Sequence, residues 1–328
     1  MKWRWTGLSL ALTAPFFCLA QTPEAAHATP PPAPDPAVSC NAAYAALPYG
    51  TILDLLDPDA PTDRRAAALE AYQRLSTMEE CPEFAYTLGQ LYRHGPDLPG
   101  NPLPQDVPRA RELIRPMAEA GYLNAFADLA EMEMRHANSR ETMKWTQVYL
   151  HFMQTVKLEH ADADQRQYQR SAYNGNLLAR AELIWKWPVP ALPRRLVRED
   201  LDAYLAGGNG DRIAQRMRER SQGRHLRPSA QEGVPVRMAN DPGTCYVRQV
   251  DRIGAASAAW IVEVLPSGET GRVVLENFVP NPEVTEVMKQ CLLRVRFAPL
   301  EGTEPVTFRY PMVMGSNEGA SLRRSRRR

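Results

Sequence analysis

The chain has 328 residues, 44% of them hydrophobic, and its 39 basic and 38 acidic side chains leave a formal net charge of +1. That length and composition suffice for two ordinary globular cores, and the charge balance excludes a general electrostatic drive toward nucleic acid or anionic membrane. At the N-terminus, residues 1–5 make a short basic head, residues 7–19 an apolar run, and Cys18-Leu19-Ala20 before Gln21 a small-residue cleavage site. The run is shorter than the roughly 20 apolar residues of a bilayer span and contains Pro15, so 1–20 read as a cleaved signal peptide. Residues 21–38 are rich in Pro and Ala and form an extended tether.

Removal of the leader leaves Cys40, Cys81, Cys245 and Cys291. An even count in an oxidising compartment points to disulfides, and the sequence allows three pairings. Cys40 with Cys81 and Cys245 with Cys291 is preferred, because each bond then stays within one predicted domain. No Cys-x-x-Cys occurs and no histidine lies near a cysteine pair, which speaks against zinc.

Residues 39–220 carry helical periodicity. In Phe84 to Gly95, the residues Ala85, Leu88, Gly89 and Tyr92 fall on one stripe, and Gly95 supplies a C-terminal stop. A second helix is predicted over 107–119, and a third opens after Gly121. This passage resembles a Sel-one-like repeat, the helical-hairpin relative of the tetratricopeptide repeat, at Ala85, Leu88, Gly89, Tyr92, Gly95, Ala118, Gly121 and Ala125. The resemblance implies an α/α array of stacked hairpins. Flanking copies are worn: 66–72 reads as the second helix of a preceding unit and 173–179 as the start of a following one. A single hairpin cannot bury its own face, so about three units are expected. The Pro-rich insertion 96–104 is expected to project from the array. Trp185 and Trp187 read either as a terminal cap or as an exposed contact patch.

Residues 221–243 form a basic linker, 244–315 a last compact domain, and 316–328 a basic tail read as disordered. Residues 259–265 and 272–278 alternate around the turn at Pro266-Ser267-Gly268, which is a hairpin signature. Residues 282–293 place Val284, Val287, Met288, Cys291 and Leu292 on one helical face, and 306–313 form a closing strand. This strand, strand, helix, strand order resembles the C-terminal domain of TonB-type energy transducers, on the motif residues Pro266, Gly268, Arg296, Phe297 and Pro299. The fold class expected is therefore an α/α repeat array followed by a small α+β domain. The resemblance implies that an extended peptide from an envelope protein adds to the sheet, with Val306, Phe308, Tyr310 and Val313 on the candidate partner-binding strand.

No Gly-x-Ser-x-Gly elbow, His-Glu-x-x-His motif, phosphate-cradling glycine loop or paired metal-ligand spacing occurs, so no catalytic, cofactor or metal residue is assigned. Glu79-Glu80 and Glu131-x-Glu133 read as carboxylates solvating helix faces. The reading is an exported, periplasmic, non-enzymatic adaptor that uses its repeat surface and its sheet to bind other envelope proteins. It needs no cofactor and no nucleic acid, and would touch membrane only through its basic tail or an uncleaved N-terminus. Two alternatives stay open: an atypical transducer anchored in the inner membrane, and a cell-wall-binding or cell-wall-active protein.

Overall fold

Helical structure begins where the sequence supplies a cap. The Ser39 hydroxyl accepts a hydrogen bond from the Ala42 amide at 3.3 Å and opens α1 (Cys40–Ala45), with α2 (Thr51–Leu56) entered through a left-handed Gly50. The computed structural model describes residues 39–159, 192–221, 236–239, 256–279 and 283–314, all within the unit Ala33–Arg328. The expected signal peptide and tether, the 173–179 junction, Trp185 and Trp187, most of the linker, Cys245 and the basic tail lie outside the described residues.

Next come α3 (Thr62–Leu75), α4 (Pro82–His94), α5 (Val107–Glu119), α6 (Leu123–Arg135), α7 (Ser139–Glu159), α8 (Arg194–Leu205) and α9 (Asn209–Ser221). Pro82 sits in the first turn of α4, where its missing N–H costs nothing, and Asp106 caps α5 by accepting from the Arg109 amide at 3.0 Å. Each helix from α3 to α7 packs on the next, and α8 and α9 close against α7. Ile114, Met117, Phe126, Val148, Tyr149 and Phe152 fill the core of that stack. A disulfide joins Cys40 to Cys81 and so ties α1 to the start of α4. Cys291 is also disulfide-bonded.

The insertion 96–104 does not project as expected. Leu98 is buried, and the Asn101 side-chain amide donates to the carbonyls of Leu91 and Gly95, at 2.7 Å each. The Leu91 carbonyl also accepts from the Gly95 amide and the Gly95 carbonyl from the Leu98 amide, so Asn101 adds a second bond to each and draws the loop back over the C-terminal end of α4.

The C-terminal part consists of β1 (Ala256–Val264), β2 (Thr270–Val279), α10 (Glu283–Leu292) and β3 (Val306–Met314). The strands pair antiparallel in the order β2-β1-β3. Central β1 buries Ala258, Trp260, Ile261, Val262 and Val264 in succession, the pattern of a strand covered on both faces. α10 packs on β1 and β2, and β2 also meets α2 and α4. One apolar cluster runs from Tyr44, Leu53 and Phe84 of the helices into Trp260, Val274 and Phe278 of the sheet. Among the described residues the fold is thus ten α-helices with a small three-stranded antiparallel sheet near the C-terminus, and no helix is long and apolar enough to cross a membrane.

Candidate functional site

The repeat-type residues face the helix stack. A Cβ on Gly89 would lie 2.7 Å from Cγ1 of Ile114, so the absent side chain lets α5 lie directly against α4. Ala85, Leu88, Ala118 and Ala125 are buried and Tyr92 is half-buried. Gly95 (φ 53°) ends α4, and Gly121 (φ 88°) turns the chain between α5 and α6.

The opposite side of α4 is polar, yet it too is buried. Glu83, Thr87, Gln90 and His94 recur at helical spacing along α4, and Asn124, Asp128, Glu131 and Arg135 along α6. Each member of the second stripe follows its counterpart in the first by the same interval, so the stripes occupy equivalent positions of consecutive hairpins. Strand β2 supplies the matching groups. In the β1–β2 register Ala259 faces Asn277 and Trp260 faces Leu275, which leaves Glu276 as the extra residue of a bulge. The bulge lets two successive residues, Glu276 and Asn277, reach the helices, which strict strand alternation forbids.

Two charge clusters result. In the first, the Glu276 carboxylate accepts from the Thr87 hydroxyl at 2.8 Å and from Arg309 Nη2 at 2.7 Å, with Arg309 Nε on its other oxygen. The Arg309 guanidinium also lies 5.4 Å from the centre of the Tyr86 ring. In the second, Asp128 accepts from the Tyr86 hydroxyl (2.8 Å), Gln90 Nε2 (3.0 Å), Arg93 Nη1 (2.6 Å) and Asn277 Nδ2 (2.8 Å). Arg93 reaches Glu131 with Nη2 at 2.9 Å. His94 stacks on Phe278 with ring centres 4.3 Å apart, and its Nε2 lies 2.9 Å from Asn277 Oδ1. Burial, and then the charge of Arg93, hold the His94 imidazole well below its ordinary value of 6.5.

A third, half-exposed cluster joins α2 to the β1–β2 hairpin. Arg272 Nη1 donates to Asp54 at 2.8 Å, and the Tyr49 hydroxyl donates to Glu263 at 2.7 Å. Burial and the Glu263 carboxylate push the Tyr49 phenol far above its ordinary range.

The carboxylates of Glu131 and Glu133, read from sequence as solvating a helix face, are buried at 1% exposure each. Glu131 pairs with Arg93 and Glu133 with Arg111, because the sheet and the neighbouring helix cover faces that polar composition alone assigns to water. Glu79 and Glu80 are exposed, as expected, but in the turn between α3 and α4 and not on a helix face.

The turn and corner motifs of the C-terminal part meet each other. The Phe297 amide donates to the Gly268 carbonyl at 2.7 Å, Leu300 N to Pro266 O at 3.0 Å, and Glu269 bridges to Arg296. Residues 236–239 flank the same corner, with Ala298 N donating to Arg237 O and Ala239 N to Arg296 O, both at 2.8 Å. Phe297 is buried edge-on to Phe308. Strand β3 is an outer strand: it is laddered to β1 from Val306 to Met314, and among the described residues no strand pairs with its other edge. Val306 and Tyr310 point into the core, Phe308 is half-buried, and Val313 continues the ladder opposite Ser257.

Sequence reasoning missed Thr87, Gln90, Arg93, His94, Asp128, Glu276, Asn277 and Arg309. The usable signal was the repetition of polar residues at matching positions of α4 and α6, on the side away from the small-residue stripe. Among the described residues no group of His, Cys, Asp and Glu could hold a metal ion. With both clusters internally paired, the chemistry of the seam is that of a clamp between helices and sheet.

No family model matches the chain, and no curated protein or solved structure resembles it at a significant level.

Proposed function

We propose that this is an exported, periplasmic interaction adaptor in which a Sel-one-like helical array carries a TonB-like α+β domain, and that an extended segment of an envelope protein adds to the outer edge of β3. The observation that carries this reading is the position of β3 at the end of the β2-β1-β3 order, with no strand on its outer side among the described residues. An outer strand offers a row of backbone donors and acceptors, the chemistry an extended peptide needs. The polar stripes of α4 and α6 are filled by the chain's own sheet, which leaves β3 as the better surface for a second molecule. Arg309 projects from β3 into the seam and ties that strand to α4 through Glu276 and Thr87. The Cys40–Cys81 bond supports an oxidising compartment, and the N-terminal reading supplies the route there.

The test is photocrosslinking in the intact envelope, with a photoreactive residue in place of Met312 on β3 or of Arg115 on the exposed side of α5. A discrete adduct with an envelope protein from position 312, and none from 115, is the expected result. Adducts from 115 alone would place the partner on the helices and overturn the assignment of β3.

A further inference from the structure

The seam holds one buried titratable ring with a nitrogen that nothing pairs, His94. Around His94 stand Arg93 from its own helix, Asp128 and Arg135 from α6, and Asn277 and Phe278 from β2; the other charges of the seam are Glu83 of α4, Glu131 of α6, Glu276 of β2 and Arg309 of β3. Asp97, in the turn after α4, acts on Arg135.

The hydrogen bonds also fix where the proton sits. Asn277 Nδ2 donates to Asp128 and its Oδ1 accepts from Arg93 Nη1 at 3.3 Å, so Oδ1 is the atom that faces His94. His94 therefore donates from Nε2, and Nδ1 carries the lone pair. Nδ1 is buried and has no hydrogen-bond partner. A proton added there would be an unsatisfied donor on a cation, 1% exposed and beside two arginines.

We infer that the docking of β2 on α4 and α6 is an acid-released latch, in which protonation of His94 at Nδ1 separates the sheet from the polar stripes. An imidazole freed into water takes its proton near its ordinary value of 6.5, whereas the docked one resists it. The open state therefore binds more protons, so docking is complete above that value and weakens as pH falls below it. Release exposes Thr87, Gln90 and Asp128 to other molecules and frees Arg309 of β3 from α4. The inference concerns the internal contact and does not depend on what binds β3.

Native-state hydrogen exchange on the full chain tests it. The opening constant of the amides at 276–278 is followed from pH 7.5 to 5.5, corrected for intrinsic exchange, with α5 amides as reference. In the wild type that constant is expected to rise about tenfold for each pH unit below about 6.5. His94→Gln, which keeps a donor toward Asn277 but does not titrate, is expected to abolish the rise. A flat wild-type profile, or the same rise in His94→Gln, overturns the latch. Should His94→Gln not fold, the imidazole resonances of His94 in the wild type decide: a ring that titrates near its ordinary value while the 276–278 amides stay protected overturns the latch.

Discussion

Replacing Asp128 by Ala is expected to destabilise the protein by about 3–5 kcal/mol, the range for removing one partner from a buried ion pair. Four donors converge on this carboxylate, from Tyr86, Gln90, Arg93 and Asn277, and all four residues are buried. Arg93 would keep Glu131 but lose the shorter of its two ion pairs. In a unit of this size such a loss corresponds to a melting temperature roughly 10 °C lower. Glu112→Ala is the control: its exposed pair with Arg109 joins residues of the same helix, and its removal should change stability by less than about 0.5 kcal/mol. Chemical denaturation of both variants decides the matter. A midpoint for Asp128→Ala close to that of Glu112→Ala would mean that the seam adds nothing to stability.

Gly268→Ala is expected to cost at least about 1 kcal/mol more than Gly208→Ala, although both glycines have positive φ, 84° and 78°. The backbone penalty of about 1–2 kcal/mol is common to both. Around Gly208 a new Cβ meets nothing within 4 Å, whereas at Gly268 it would be driven into the Phe297 carbonyl. The turn must then move away from the corner and weaken the bond from Phe297 N to Gly268 O, an additional loss of about 1 kcal/mol before any repacking of Phe297. Equal midpoints for the two alanine variants in urea would show that the turn and corner are not held together as described.

Much of the fold was legible from residue pattern. The stripe Ala85, Leu88, Gly89 predicts α4 and its close neighbour, and alternation around Pro266-Ser267-Gly268 predicts β1 and β2 within a few residues. Cys40 and Cys81 pair as preferred. The seam was hidden for a physical reason. Polar side chains at Thr87, Gln90, Asp128 and Glu131 normally mark a wet helix face, and single-helix periodicity carries no information about a sheet arriving from nearly 150 residues further along, as in the bond between Asn277 and Asp128. The bulge at Glu276 conceals it further, because alternation assigns Glu276 and Asn277 to opposite sides of the sheet. The folded-back insertion was missed because Asn101 caps carbonyls that are not its sequence neighbours.

The measurement that bears most directly on this account is native-state hydrogen exchange of the whole chain at pH 7.5, read as opening free energies for α4, α6 and the three strands. If helices and sheet are one body joined by the seam, the slowest amides of β1 and β2 and those of α4 should open together, at the free energy of global unfolding. Strand amides that exchange through a separate, much cheaper opening, while α4 and α6 stay protected, would contradict it.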